Sequence, residues 1–141
     1  LSVQFMSTIG YSTLDTPSNS LVGSVSPIAS SSFNVSINKY GLINNKDKLS
    51  VSISQPNRVE SGTMTFRIPS LAQKNSGNIT YTDHHVELSP SGRQVNFGID
   101  YVTKFENDFI LGFKHTIIKD LDHNSEADFN NAFTITGSIK F

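Results

Sequence analysis

Residues 94–101 read Gln-Val-Asn-Phe-Gly-Ile-Asp-Tyr, and this stretch decides the fold class. Apolar side chains occupy every second position, and amide, glycine or carboxylate residues stand between them. Successive side chains of a β-strand point to opposite faces, whereas an α-helix repeats about every 3.6 residues. The stretch therefore predicts a strand with one apolar and one polar face.

The same alternation recurs along the chain and predicts about eight strands of roughly 9–12 residues. Strands of soluble proteins typically have about five or six residues, whereas tilted membrane strands need about 9–11. We therefore expect an all-β antiparallel meander. The other alternating apolar sets are Leu1, Val3, Phe5, Ile9 and Tyr11; Phe33, Val35 and Ile37; Leu49, Val51 and Ile53; Met64, Phe66 and Ile68; Phe109, Leu111 and Phe113; and Phe133, Ile135, Ile139 and Phe141. A weaker strand is predicted from Ile79 and Tyr81 to Val86 and Leu88, with an interruption at Asp83, His84 and His85.

Turn-forming residues separate the predicted strands. Short connections rich in Asn, Asp, Pro, Ser or Gly stand at 44–47, 56–57, 89–92 and 106–108, as tight hairpins require. Longer connections are predicted at roughly 14–30, 69–77 and 119–130. With 141 residues, the chain is expected to form a single β domain over 1–141 with a long loop around 14–30.

The composition excludes several function classes. The net charge is −1 and no run of basic residues exists, so a nucleic-acid partner is not expected. The chain has no cysteine, which rules out disulfides and thiolate metal sites. Ser, Thr and Asn supply about a third of the residues, and charged residues only 16%, against about a quarter in typical globular proteins. The polar faces are therefore mostly small and neutral.

Two architectures give the same alternation. In a soluble β-sandwich the apolar faces pack against each other, and in a membrane β-barrel they face lipid. The apolar face here carries almost no charge within the strands, Lys39 being the exception near a strand end, and the small polar residues suit a narrow interior. These features favour an outer-membrane β-barrel, or the C-terminal part of one. A soluble sandwich for surface adhesion or assembly is the alternative, and a small ligand-binding barrel is a third.

The last strand reads Phe-Thr-Ile-Thr-Gly-Ser-Ile-Lys-Phe over residues 133–141. It resembles the C-terminal signature of bacterial outer-membrane proteins, which the barrel-assembly machinery recognises. The resemblance implies an assembly signal formed by Phe133, Ile135, Gly137, Ile139 and Phe141. It also implies two partners, the lipid bilayer and the assembly machinery.

Two inner segments carry a family resemblance. Residues 49–62, Leu-Ser-Val-Ser-Ile-Ser-Gln-Pro-Asn-Arg-Val-Glu-Ser-Gly, and residues 86–95, Val-Glu-Leu-Ser-Pro-Ser-Gly-Arg-Gln-Val, resemble the C-terminal region of autotransporter-type subtilisin-like (S8 family) serine proteases. Asn57 and Gln94 depart from the Leu and Glu that are usual in that group. The residues that match the family's turns are Gln55, Pro56, Arg58, Gly62, Pro90, Gly92 and Arg93.

This resemblance implies a role for the chain within a larger precursor. The implied role is an outer-membrane anchor and translocator at the surface of a Gram-negative bacterium, with an N-terminal passenger of the same precursor as partner. No Gly-Thr-Ser-Met-Ala type of nucleophile segment is present, nor are the matching Asp and His segments. We therefore expect the chain not to be an enzyme in its own right, and to need no cofactor.

Other candidate site residues are interpreted as structural. His84 and His85 are adjacent, so in a strand they point to opposite faces and cannot share a metal. A serine-protease-like site with His115 or His123 has no serine on a nucleophile turn. The series Asp120, Asp122, Asn124 and Glu126 has calcium-loop spacing, but Ser125 occupies the required glycine position. Six charged residues are candidates for pairing inside a barrel: Arg58, Arg67, Arg93, Lys114, Glu87 and Asp100.

Overall fold

The computed structural model describes residues 1–17, 20–72, 79–106 and 108–139, and 71% of it is strand. The side chains of residues 71 and 72 are not among the described parts. Apart from one turn of 3-10 helix at Leu121–His123, the regular elements in these ranges are all strands. They are β1 Ser2–Ser12, β2 Val22–Val25, β3 Ile28–Tyr40, β4 Asp47–Ser61, β5 Thr63–Ala72, β6 Ile79–Glu87, β7 Val95–Lys104, β8 Phe109–Lys119 and β9 Asn130–Ile139.

The strands form two antiparallel sheets, which confirms the predicted all-β class. The larger sheet has six strands in the order β1-β3-β4-β7-β8-β9, and the smaller has the order β2-β5-β6. Strands follow chain order across the larger sheet, as in a meander, except that the chain leaves it twice to build the smaller one. The described strands do not close into a barrel, because β1 and β9 end the larger sheet as edges.

Contacts divide the chain into two compact units. The first unit contains residues 1–8, 32–57 and 91–141, and the second contains residues 9–31 and 58–90. The first unit holds β7, β8 and β9 whole together with parts of β1, β3 and β4. The second holds β2, β5 and β6 with the remaining parts of those three strands.

Strand register fixes the two faces of the sheet in the first unit. Directly paired residues of antiparallel strands lie on the same face. Leu49, Tyr101, Phe113 and Ile135 form one row across β4, β7, β8 and β9. Ser52, Gly98, Thr116 and Ala132 form a row on the other face. The sheet therefore has one apolar and one small polar face, as the alternation predicts.

The hairpin of β5 and β6 is the main element of the second unit. Its register runs from Thr63 opposite Glu87 to Ala72 opposite Ile79, with an irregularity after Pro69. The predicted interruption at 83–85 is wrong, since β6 is continuous there. β2 pairs with β5, so β2 and the start of β3 lie within the 14–30 stretch that was predicted as a loop.

One predicted turn is wrong. β4 runs through Pro56 and Asn57 to Ser61, and the chain turns instead at Gly62, whose φ is +153°. Proline lacks the N–H that a sheet ladder needs. Pairing of β4 with β7 ends at Ser54, so Pro56 removes no hydrogen bond from that pair. The connection predicted at 69–77 is shorter at its start, because β5 extends to Ala72.

Candidate functional site

The apolar face of the six-stranded sheet is exposed. Phe97 is 51% exposed and Ile135 60%, although both lie within long strands and Ile135 is in the middle of its strand. Among the residues that the structure describes, no hydrophobic side chain is buried, and the buried polar or charged residues are Asn38, Asp47, Gln55, Gln94 and Thr103. The usual distribution of a globular protein, with Ile, Val, Leu and Phe inside, is therefore reversed.

The polar face is closely packed from small residues. Asn38 is 3% exposed and its Oδ1 accepts a hydrogen bond from Ser50 Oγ at 2.7 Å. Gly98 and Gly112 are buried there, and a Cβ at either position would lie 2.7 Å from Ser52 Oγ or 2.5 Å from Thr136 Oγ1. Glycine thus makes room for the hydroxyl of the neighbouring strand. This face has the properties of an interior and the apolar face those of an exterior.

The six predicted pairing candidates have different partners. Asp100 and Lys114 are direct register partners of β7 and β8, on the polar face. Arg58 Nη1 lies 2.7 Å from Glu60 Oε2, and Arg67 Nε lies 3.6 Å from Asp83 Oδ1. Glu87 is opposite Thr63. Arg93 Nη1 contacts the side-chain amide oxygen of Gln55. Alternation indicates which charges share a face, but not which of them meet.

Three chain segments meet at one end of the sheet in the first unit. Arg93 Nη1 donates to Gln55 Oε1 at 2.5 Å, and Gly92 N donates to His123 O at 2.6 Å. A Cβ at Gly92 would lie 2.5 Å from Ser125 N. We call these segments, residues 55–57, 91–96 and 120–125, the polar cluster. The polar cluster connects the two turns that carry the family resemblance, at 55–57 and 91–96, to the connection that precedes β9.

His123 is the centre of the polar cluster. Its Nδ1 accepts a hydrogen bond from Gln94 N at 2.9 Å, so the proton is on Nε2, which donates to Asn57 O at 3.2 Å. Gln94 Oε1 accepts from Asp122 N, and Gln94 Nε2 donates to Asn96 Oδ1, each at 2.8 Å. These contacts use both nitrogens of the imidazole. His123 is thus a structural residue that connects three segments.

The connection at the polar cluster is held in an uncommon backbone conformation. Asp120, Asp122 and His123 have φ of 53°, 56° and 57°, in the left-handed region that is uncommon outside glycine. Such conformations persist where surrounding contacts determine them. Asp120 Oδ2 accepts from Arg93 N at 3.3 Å, and Asn124 Oδ1 accepts from Glu126 N at 3.0 Å. The series with calcium-loop spacing thus contributes oxygens to protein hydrogen bonds.

In the second unit, the remaining motif residues also meet. Arg58 Nη2 donates to Pro90 O at 2.8 Å, and Glu60 Oε1 accepts from Ser31 Oγ at 2.6 Å. A Cβ at Gly62 would lie 3.2 Å from a side-chain carbon of Ile28. Within each unit, therefore, the two segments that carry the family resemblance contact each other.

The opposite end of the sheet in the first unit contains two short turns. The backbone N–H groups of Leu42, Ile43 and Asn44 donate to the Asp47 carboxylate at 2.7, 2.7 and 3.0 Å. Burial alone would raise the pKa of Asp47, but these donors and the Tyr101 hydroxyl outweigh it and lower the pKa to about 2. The predicted turn at 44–47 is thus held by its own last residue.

The second short turn is adjacent to the first. Lys104 N donates to Lys46 O at 3.2 Å, which joins the two turns. Lys104 Nζ lies 2.6 Å from Asp108 Oδ1, and this contact lowers the pKa of Asp108. The short connections therefore share one end of the sheet, and the longer one at 120–129 lies at the end with the polar cluster.

The remaining histidines do not form a metal site. His84 and His85 are paired with Phe66 and Thr65, and Thr65 Oγ1 lies 2.9 Å from His85 Nδ1. His115 lies on the apolar face, between Ile99 and Phe133 in register. In the described part of the chain, no group of three His, Asp or Glu residues could hold a metal ion.

Four residues of the predicted assembly signal lie on β9, which is an edge of the larger sheet. Phe133, Ile135 and Ile139 are exposed on the apolar face, where they pair with His115, Phe113 and Phe109 of β8. Gly137 is opposite Leu111. The fifth member, Phe141, lies outside the described residues.

Comparisons with protein-family models, with curated proteins and with solved structures found no match for this chain. The resemblance to the C-terminal region of autotransporter-type subtilases therefore stays a prediction. Over the described ranges, no helix has the length and apolar character that are needed to cross a membrane.

Proposed function

We propose that this chain is outer-membrane β-barrel sequence, namely the C-terminal part of an autotransporter-like subtilase precursor that anchors and exports its passenger. The observation that supports the proposal most directly is the reversed distribution of side chains. Large apolar residues cover the exposed face of the six-stranded sheet, while buried Asn38 and the closely packed Ser50, Gly98 and Gly112 lie on the opposite face. Lipid is the solvent that makes this arrangement favourable.

The extent of the apolar face argues against water as its solvent. Soluble monomers rarely expose contiguous apolar patches of more than a few hundred Å². Here the exposed set runs across adjacent strands of the first unit and includes Val51, Phe97, Ile99, Ile117 and Ile135. β7, β8 and β9 have 10, 11 and 10 residues, which matches the roughly 9–11 residues of a tilted membrane strand.

The two edge strands of the larger sheet support the proposal that the chain forms part of a barrel and not a complete one. Open sheet edges do not occur within the hydrocarbon region, because their N–H and C=O groups would lack partners. β1 and β9 each have one neighbour in the larger sheet. Further strands, from the same precursor or from other chains, would complete the ring. Under this proposal β9 presents its edge for the closing contact.

The biological setting rests on the family resemblance and on the residues of the assembly signal. It consists of the outer membrane of a Gram-negative bacterium, the barrel-assembly machinery and an N-terminal passenger at the cell surface. The role proposed for the chain is physical rather than catalytic. The apolar face holds it in lipid, and complete strand pairing satisfies the backbone.

A pair of arginine substitutions on β9 tests the proposal. Ile135→Arg puts a charge in the middle of the apolar face, and Ala132→Arg puts it on the polar face of the same strand. In lipid vesicles we expect Ile135→Arg to lower the free energy of unfolding by about 2–4 kcal/mol. We expect Ala132→Arg to change it much less. Urea titration of the vesicle-embedded protein measures both.

The soluble β-sandwich makes the opposite prediction for this pair. Ile135 is 60% exposed, and exposed substitutions in water usually change stability by less than about 0.5 kcal/mol. Equal and small effects of the two substitutions, in a protein that stays folded without lipid, would contradict the membrane proposal. They would favour a surface adhesion or assembly module.

A further inference from the structure

A groove lies on the apolar face at the end of the β7–β8 hairpin nearer the polar cluster. Its volume is about 370 Å³, and it is lined by Val95, Phe97, Ile117, Lys119 and Phe129. Four of the five lining side chains are apolar. Ligand sites in proteins usually have about 300–1,000 Å³, so the groove suits one extended chain and not a folded partner.

Register sets the order of side chains along the groove. Phe97 is opposite Ile117, and Val95 is opposite Lys119, so the lysine ends an apolar row. Phe129, just before β9, is 69% exposed and forms a further wall. A lysine at this position can lay its aliphatic stem along apolar surface and present its ammonium group at the polar boundary.

The charge of the groove is set by one ammonium group. Among the described residues, no carboxylate forms an ion pair with Lys119. Asp120 follows it in the chain, but its Oδ2 accepts from Arg93 N in the polar cluster. An apolar groove that ends in an ammonium group is complementary to an amphiphile that has a hydrocarbon chain and an anionic head group.

We propose that this groove binds one acyl chain of a phospholipid with net negative charge, with the Lys119 ammonium on the phosphate. The inference rests on the proposed membrane function and adds a ligand class to it. The phosphate accepts charge-assisted hydrogen bonds from the ammonium, which are stronger than neutral ones. The walls formed by Phe97, Ile117 and Phe129 contact the acyl chain.

Lipid retention by the full chain tests the proposal. The protein is purified in dodecyl maltoside, and native mass spectrometry compares dioleoyl phosphatidylglycerol with dioleoyl phosphatidylcholine. Near an anionic surface one lysine contributes a preference of about fivefold, so we expect phosphatidylglycerol to be retained about fivefold better. Lys119→Gln should abolish this preference, and Phe129→Ser should weaken retention of both lipids.

Lys114→Gln is the matched control, because Lys114 is on the same strand but on the polar face. It should leave the preference unchanged. Equal retention of the two lipids by the unmodified protein, or a preference that survives Lys119→Gln, would overturn the proposal. Displacement of the lipid by millimolar inorganic phosphate would also overturn it, because the site would then bind the anion without the chain.

This experiment separates the lipid site from the membrane function on which it rests. Suppose that the unmodified protein shows no lipid preference, while Ile135→Arg strongly lowers its free energy of unfolding in vesicles. The lipid site would then be contradicted and the membrane function would stand. No cost of Ile135→Arg would overturn the membrane function, and with it the lipid site, whatever the retention of lipid.

Discussion

At Gly92 the polar cluster leaves no room for a side chain. A Cβ there would lie 2.5 Å from Ser125 N and 2.7 Å from Asn124 C, and both are backbone atoms. Backbone cannot move aside as a side-chain tip can. The Gly92 N–H also donates to His123 O, so displacement of this segment would disturb the hydrogen bonds of the neighbouring imidazole.

We therefore expect Gly92→Ala to destabilise the protein by about 1–3 kcal/mol, the usual cost of overpacking. Urea unfolding in detergent measures it. Gly112→Ala is the control, because the atom that its Cβ would meet is the Thr136 hydroxyl oxygen, which can rotate away. If Gly112→Ala destabilised as much as Gly92→Ala, the close backbone contact would not be the cause.

Residue faces were the part of the structure that the sequence predicted best. The alternation at Phe97, Ile99 and Tyr101 assigns these side chains to one face, and the register confirms it. It did not identify His123, since the contacts of that residue come from segments about 29 and 66 positions away. In the sequence, this stretch was noted only for the calcium-loop spacing of Asp120, Asp122, Asn124 and Glu126.

Among elements, the turn between β3 and β4 depends on one carboxylate. Asp47 is 2% exposed and accepts hydrogen bonds from three backbone N–H groups and from the Tyr101 hydroxyl. The pKa is lowered to about 2 in the folded protein, against about 3.9 for an unfolded aspartate. The unfolded state therefore binds this proton at higher pH than the folded state does.

This difference predicts how the stability changes with pH. The contribution of Asp47 is fully present above about pH 4 and is lost as the pH falls through about 2. We expect Asp47→Asn to lower stability at pH 6 and to flatten its dependence between these values. Urea unfolding in detergent at several pH values measures both effects.

Asp128→Asn is the matched control for the Asp47 substitution, because the Asp128 side chain is exposed. It should leave the pH dependence intact. An unchanged acid response in Asp47→Asn would show that other carboxylates cause the loss of stability.

Turns and strands were predicted correctly where the local sequence pattern is strong. They were missed where a strand forms only because it pairs with a distant strand. The turn at 44–47 has the Asn and Asp residues that such turns favour, and the structure places it there. β2 has four residues in a stretch rich in Ser, Pro and Gly, and it exists through its pairing with β5. Proline predicted a turn at Pro56, but β4 continues through it.

At the scale of the whole molecule, the exposed apolar face leads to a prediction about the solvent in which the protein stays dispersed. We expect the chain to aggregate in buffer without detergent, through the apolar face and the edge strands β1 and β9. In dodecyl maltoside it should stay dispersed, with the circular dichroism of a β-protein. Sedimentation in the two solvents measures the difference, and a monodisperse folded protein in plain buffer would contradict it.

The fold class could be predicted from sequence, but the closure of the sheet could not. Alternation is a property of single strands, and it is the same in a sandwich and in a barrel. The departure of the chain into a second sheet depends on pairs such as Val22 with Phe66, which no local pattern specifies. The number of strands in the larger sheet follows from these distant pairs.

The absence of buried hydrophobic side chains among the described residues also bears on temperature. The heat-capacity change of unfolding grows with the apolar area that becomes wetted. A sheet whose large apolar side chains are exposed or half-buried exposes less such area on unfolding than a domain with a buried apolar core. We therefore expect its curve of stability against temperature to be flatter than that of a domain of equal length with a buried apolar core, and cooling to weaken it less.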